Sequence, residues 1–303
     1  MTLDADTLDD VDDALGQVDA SILQIRPAGS RVLRGLVEMT NEEYHAAPGT
    51  SKSHLDSIDG RSAKNYWQDY LNPNRPPRKM TPALKLGQAI HCAMLEPDEL
   101  PDRYAIEPDI DKRSNAGKAA YAAFVRENFG KTLLSESDYQ VCLGIRDATH
   151  ANPKVSGLLT GGVAEKSYFA IDPETGELIK CRVDYLVGGI DGLVVDLKST
   201  THAGKVAFGK SANDYRYDLQ PPWYFDVFQA EFGTHPKQFV WIAFEKEPPF
   251  AMGIYYATPE QIEAGRRAAR RDFMRIVHHK RLNYWPDYSE EILPLELPTW
   301  TRR

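Results

Sequence analysis

Residues 192–200 read GLVVDLKST. Val194, Val195 and Leu197 suit a buried strand, yet Asp196 and Lys198 are interleaved with them just before it ends. Side chains alternate across a strand, so Asp196 and Lys198 leave one face roughly 7 Å apart while Val195 and Leu197 point into a core on the other. The preceding stretch CRVDYLV (181–187) alternates too and carries Asp184, and GIDG (189–192) makes a turn between the two. The hairpin folds Asp184 back toward Asp196. Carboxylates that converge at a strand end form a hard-oxygen site suited to Mg²⁺ or Mn²⁺. A lysine beside them can hold an attacking water or stabilise charge at phosphorus. A surface Asp–Lys ion pair is the plain alternative for the same residues.

Working outward, AEKSYFAID (164–172) alternates and ends in the turn PETGE, which completes a meander of about three strands. Residues from about 220 in QPPWYFDVFQAEFG read as a helix, and KQFVWIAFE (237–245) and FAMGIYYA (250–257) as two more strands. The clearest helix is 258–281, with Thr258 as cap, Pro259 at its first position, Gln261 at its third, and an apolar stripe of Ile262, Ala269, Phe273 and Ile276. Upstream, 51–71 reads as helical with an interruption near Gly60, 83–96 as a helix stopped by Pro97, and 114–128 and 135–149 as two further helices. Residues 198–210 follow the strand that carries Asp196, and Ser199, Thr200 and Lys205 there could line a substrate path. The expected fold is α/β: a mixed central sheet flanked by helices, forming one domain over 36–303.

Composition fits this. The 303 residues are 42% hydrophobic and 26% charged, with net charge −8. Seven aspartates and no basic residue fall in the first twenty positions, so the body is close to neutral. Residues 1–35 are therefore expected to be an acidic, disordered tail. No apolar run reaches the about 18 residues of a membrane helix, and the N-terminus lacks signal-peptide character. Cys92, Cys142 and Cys181 form no CxxC pair and read as reduced thiols of a cytoplasmic protein.

Two other stretches join the meander. Gln220 and Tyr224 stand at i, i+4 on one helix face, and LGQAIHCAMLEP (86–97) places His91 on a helix. His91 is either a core histidine or a metal ligand, and Gln220 and Tyr224 either a cap with a buried ring or part of a site. Pro221 and Pro222 are tolerated only in a first turn, so that helix begins at about 219–221.

Asp184, an eleven-residue gap, then Asp196-Leu197-Lys198 matches the PD-(D/E)xK nuclease signature. With EYHAAPGTSKSHL (43–55), LGQAIHCAMLEPDEL (86–100), RSNAGK (113–118), DYRYDLQ (214–220) and LPTW (297–300) in the same order, the chain resembles the RecE, or exonuclease VIII, nuclease domain, a RecB-like branch of that superfamily. The resemblance runs from about residue 40 to the end. It implies a Mg²⁺-dependent (Mn²⁺ as substitute) 5′→3′ exonuclease on linear double-stranded DNA, leaving 3′ tails for a RecT-like annealing protein on a separate chain in phage-type recombination. It also implies a ring-shaped homo-oligomer, such as a tetramer. Carried onto this sequence, His91, Asp184, Asp196 and the carbonyl of Leu197 would bind metal. Lys198 would be the catalytic lysine, Gln220 and Tyr224 the helix motif, and Glu165 an additional acidic member. Other readings are a RecB-like or CRISPR-associated nuclease for single strands, which often carries a four-cysteine iron–sulfur cluster, and an inactive DNA-binding protein. Arg75, Arg78 and Lys79, and Arg266, Arg267, Arg270, Arg271 and Arg275, are candidates for phosphate contact. Tyr66, Trp67 and Trp223 are candidates for stacking on bases, though core packing is the commoner role for such rings.

Overall fold

The structure is a computed structural model and describes residues 33–76 and 80–296. The expected acidic tail (apart from its last three residues), Arg78, Lys79 and the LPTW stretch lie outside these residues.

In chain order the elements are β1 (Gly35–Val37), α1 (Asn41–Ala46), α2 (Lys52–Gly60), α3 (Ala63–Tyr66), α4 (Pro82–Leu95), α5 (Leu100–Arg103), β2 (Tyr104–Ile106), α6 (Asn115–Glu127), β3 (Thr132–Leu134), α7 (Glu136–Ala151) and α8 (Pro153–Leu158). They continue with β4 (Val163–Ile171), β5 (Leu178–Val187), β6 (Leu193–Thr200), α9 (Lys205–Asp214), α10 (Gln220–Phe232), β7 (Gln238–Glu245), β8 (Met252–Tyr256) and α11 (Pro259–Leu282). Six strands form one sheet in the order β1-β4-β5-β6-β7-β8, and β2 and β3 pair separately. The meander β4–β5–β6 is antiparallel, β6 and β7 run parallel, and β8 closes the edge antiparallel to β7. The expected mixed sheet flanked by helices is what forms.

Both faces of the sheet are covered. Phe239, Trp241 and Ala243 of β7 pack with α2, α10 and α11, whereas Ile242 and Phe244 pack with α4 and α7. This is why β7 is apolar throughout rather than alternating. Phe228, Phe239 and Phe273 are fully buried, and truncating any one to Ala costs about 3–5 kcal/mol. The start of α11 follows its sequence closely: Gln261 N donates to Thr258 Oγ1, and Thr258 N donates to Gln261 Oε1.

One local reading needs correction. The tail boundary at 35 falls inside the fold, because Gly35–Val37 pairs with Ser167–Phe169 and Arg34 binds Glu231 at 2.8 Å. A three-residue edge strand carries too little pattern to be read from sequence. Residues 205–214 form the helix α9; its N-cap is Gly204, with no capping side chain, so the usual start signal is missing.

Candidate active site

The turn after β5 sets the register on which the site depends. Gly188 and Gly189 adopt φ of 78° and 82°, conformations glycine takes without strain. The tight return pairs Tyr185 with Val195 and Leu186 with Val194, which brings Asp184 alongside Asp196. Leu197 N then donates to Asp184 Oδ2 at 2.8 Å.

On the other side of β5, the pairing with β4 is continuous except at Glu165 and Asp184. Glu165 has φ 53°, a left-handed backbone for a non-glycine residue within a strand. The alternation breaks at the same level: Val183 packs with the α10 layer and Tyr185 with the α4 layer. Residues two apart on a regular strand would share a face. Strained conformations of this kind cost of order 1–3 kcal/mol and persist where surrounding contacts enforce them. Here they direct the Glu165 carboxylate toward α4, where His91 Nδ1 lies 3.4 Å from Glu165 Oε1 and 3.8 Å from Asp184 Oδ2.

Arg182 holds Glu165 from behind, donating to its Oε2 at 2.9 Å and to Ser167 Oγ at 2.7 Å. On β6, Asp196 is 1% exposed. Its Oδ1 accepts from Gln220 Nε2 at 2.8 Å. Its Oδ2 is in ion-pair contact with the Lys198 ammonium, but no well-aligned hydrogen bond reaches it. Gln220 Nε2 also donates to Tyr224 Oη at 3.3 Å, and Tyr224 Oη donates to the Arg182 carbonyl at 2.9 Å. Gln220 Oε1 is buried with no partner. The first turn of α10 therefore supports Asp196, and both prolines are accommodated in that turn.

The electrostatics describe a site short of positive charge. Burial, then the charge of Asp196, lifts the Asp184 carboxyl to about 7. Burial disfavours the His91 imidazolium, but Asp184 and Glu165 outweigh it and raise His91 to about 9. Burial likewise opposes the Lys198 ammonium, yet Asp196 and Asp184 hold it above its ordinary value. Glu165 is partly buried too, but its contacts with His91 and Arg182 keep its carboxyl below the usual range.

Among the described residues, His91, Glu165 and Asp184 form the group able to hold a metal ion, with ligand atoms within 4.8 Å of one another. One imidazole and two carboxylates suit a divalent cation such as Mn²⁺ or Mg²⁺. Asp196 Oδ2, which has an ion-pair contact but no well-aligned hydrogen bond, and the raised Asp184 are what such a charge would relieve, so the residues present fit a metal. Asp196 lies outside this three-residue group, and its oxygens face Gln220 and Lys198. Leu197 contributes its backbone N–H, while its side chain is buried in the α4 layer.

A profile of the family described as a PDDEXK-like domain of unknown function (DUF3799) matches residues 51–296. The chain belongs to this PDDEXK-like family. The PD-(D/E)xK nuclease resemblance carried by Asp184, Asp196 and Lys198 is thus borne out. A solved structure of a proposed exonuclease from Eubacterium rectale is 15% identical, with 86% of this chain and 96% of that chain covered and a TM-score of 0.61. That likeness is one of fold. An alkaline exonuclease from Laribacter hongkongensis is 11% identical over 80% of this chain and 97% of that one, at TM-score 0.27. A phage-related exonuclease from Haemophilus somnus is 16% identical over 57% and 91%, at TM-score 0.25. No curated protein matches.

Within this PDDEXK-like site, sequence reading missed Arg182 and Tyr217. Arg182 lies two residues before Asp184, on the same strand, and that spacing was its only signal. Tyr217 lies under Lys198, with Nζ 4.9 Å from the ring centre. Four of the five candidate arginines of α11 are ion-paired: Arg266 with Asp226, Arg267 with Glu263, Arg270 with Asp172 and Glu174, and Arg271 with Asp59 and Asp272. Tyr66 and Trp223 are core residues. No helix among the described residues is long and apolar enough to cross a membrane.

Proposed function

We infer that this PDDEXK-like nuclease domain is a metal-dependent exodeoxyribonuclease that degrades one strand of linear double-stranded DNA in the 5′→3′ direction and leaves 3′ single-stranded tails. The observation that carries the reading is the incompletely compensated cluster of His91, Glu165, Asp184, Asp196 and Lys198 at the end of β6. Its substrate and polarity rest on the RecE resemblance, which also supports a RecT-like partner, a toroidal homo-oligomer and a cytoplasmic setting. The fold shared with the proposed exonuclease from Eubacterium rectale agrees with attack from an end.

His91, Glu165 and Asp184 would hold the cation, with Asp196 beside them. A bound Mg²⁺ or Mn²⁺ would supply Lewis acidity to a phosphate oxygen and lower the pKa of a water. Lys198, kept charged by Asp196 and Asp184, would orient the attacking water and offset the negative charge that grows on the phosphate. Gln220 fixes Asp196, and Arg182 fixes Glu165, so neither carboxylate has to reorganise as the reaction proceeds. The single-strand, iron–sulfur alternative fits less well: Cys92 and Cys142 lie in the α4 layer and Cys181 in the α10 layer, all buried.

Polarity and substrate are tested together with a linear duplex labelled at the 5′ or the 3′ end of one strand, beside a covalently closed circle. Early loss of the 5′ label with intact circles is expected. Cutting of circles, or of single strands only, would refute the duplex-exonuclease reading.

A further inference from the structure

The stretch DYRYDLQ holds an aromatic pair that the chemistry above leaves unused. Tyr217 lies under the Lys198 ammonium, and Tyr215 stacks on Tyr217 with ring centres 5.7 Å apart and planes 20° from parallel. Tyr217 is backed by Phe208 at 6.1 Å. Tyr215 is 64% exposed, so a ladder of two rings runs from the candidate catalytic lysine to an exposed tyrosine.

The ladder is held by contacts on several sides. Arg216, between the two tyrosines, has a left-handed backbone with φ 53°. Its guanidinium binds the fully buried Asp272, lies 3.4 Å from Asp59, and donates to the Leu55 carbonyl at 3.2 Å. Lys52 Nζ donates to the Tyr215 carbonyl at 2.7 Å and pairs with Asp56 at 2.7 Å. Helix α11 comes close enough that a Cβ on Gly265 would lie 2.1 Å from the Asp218 carbonyl. A strained non-glycine residue enforced by an ion pair to a buried carboxylate is a costly way to leave a ring in water, unless the ring has a use.

We propose that Tyr215 is a stacking platform for a nucleobase at or beside the scissile nucleotide, which sets the phosphate next to Lys198. The inference rests on the nuclease reading and names how the substrate end is gripped. Every base has a π-face, so the platform tolerates any sequence, and base–aromatic stacking of this kind corresponds to about 5- to 150-fold in affinity.

The test uses the full chain with Ca²⁺ in place of Mg²⁺ and a linear duplex carrying 2-aminopurine at its terminal nucleotide or deep in its interior. Wild type and Tyr215→Phe should quench the terminal probe and leave the interior one unchanged. Tyr215→Leu should abolish the quench and weaken binding about 5- to 150-fold, with an unchanged melting temperature. If Tyr215→Leu keeps both quench and affinity while Mg²⁺-dependent cleavage persists, the platform is refuted and the nuclease reading stands. If wild type neither binds nor cuts the duplex, both fall. A changed sedimentation mass for Tyr215→Leu would make the ring a subunit contact and overturn the proposal.

Discussion

Two regions of this molecule concentrate charge, and they treat it in opposite ways. Along α11, Arg266, Arg267, Arg270 and Arg271 each meet an acidic partner on α10, α11, α2 or the β4–β5 turn. Where β4, β5 and β6 meet, Asp184 is pushed up to about 7, Asp196 Oδ2 and Gln220 Oε1 lack hydrogen bonds, and Glu165 is held in a left-handed backbone. The arginine helix has more charges, but they are spent on holding α11 in place. The meander has fewer; Asp196 pairs with Lys198 and Glu165 with Arg182, but the raised Asp184 and two buried oxygens without hydrogen bonds are left around a common point. Unsatisfied charge marks the candidate site better than abundant charge does.

The largest expected effect separates the regions by activity. Asp184→Asn, Asp196→Asn or Lys198→Ala should each lower cleavage by about 10³-fold or more. The Asp184→Asn fold should melt no lower than wild type, since a carboxylate disfavoured by burial is removed. Nuclease rates beside thermal melts check this, and full activity in Asp196→Asn would erase the distinction. Gln220→Leu should lower cleavage by about 10- to 100-fold, because Asp196 loses the contact that orients it; loss of activity with an unchanged secondary-structure signal is the expected pattern. Arg270→Ala should show the reverse. It leaves the buried Asp172 without its guanidinium and costs about 1.5–3 kcal/mol in urea denaturation, with kcat unchanged.

The smallest effect is one of pH. In EDTA, His91 is raised in the folded state to about 9, so its stabilisation is complete below its unfolded value near 6.5 and is lost as pH rises toward 9. Asp184, raised to about 7, loses its contribution as pH rises from about 4 to 7. Both slopes have the same sign, so metal-free protein should weaken from neutral toward pH 9. Mn²⁺ or Mg²⁺ should flatten that decline, because the cation takes over the role of the protons. A profile that is identical with and without cation would contradict the assigned ligands.

How far the sequence discloses each region follows from the range of the interactions. The strands were legible because their alternation is local, and α11 because Thr258, Pro259 and Gln261 are a local cap. The pairing of Asp184 with Asp196 was legible because one tight turn fixes it. His91 and Glu165 are 74 residues apart, and only the packing of α4 against the sheet brings them together. The left-handed backbone at Glu165 has no sequence signal of its own, since nothing in AEKSYF distinguishes it from a regular strand. The same holds for Arg266 and Arg270 of α11, whose partners Asp226 and Asp172 are distant in sequence.

The most direct test of the central claim, that the cluster of His91, Glu165, Asp184, Asp196 and Lys198 hydrolyses DNA, is digestion of a linear duplex by wild type and Asp196→Ala, each with Mg²⁺, with Mn²⁺ and with EDTA. The expected result is release of nucleotides by wild type with either cation and none in EDTA or from Asp196→Ala. Digestion that survives EDTA, or that Asp196→Ala retains in full, would contradict it.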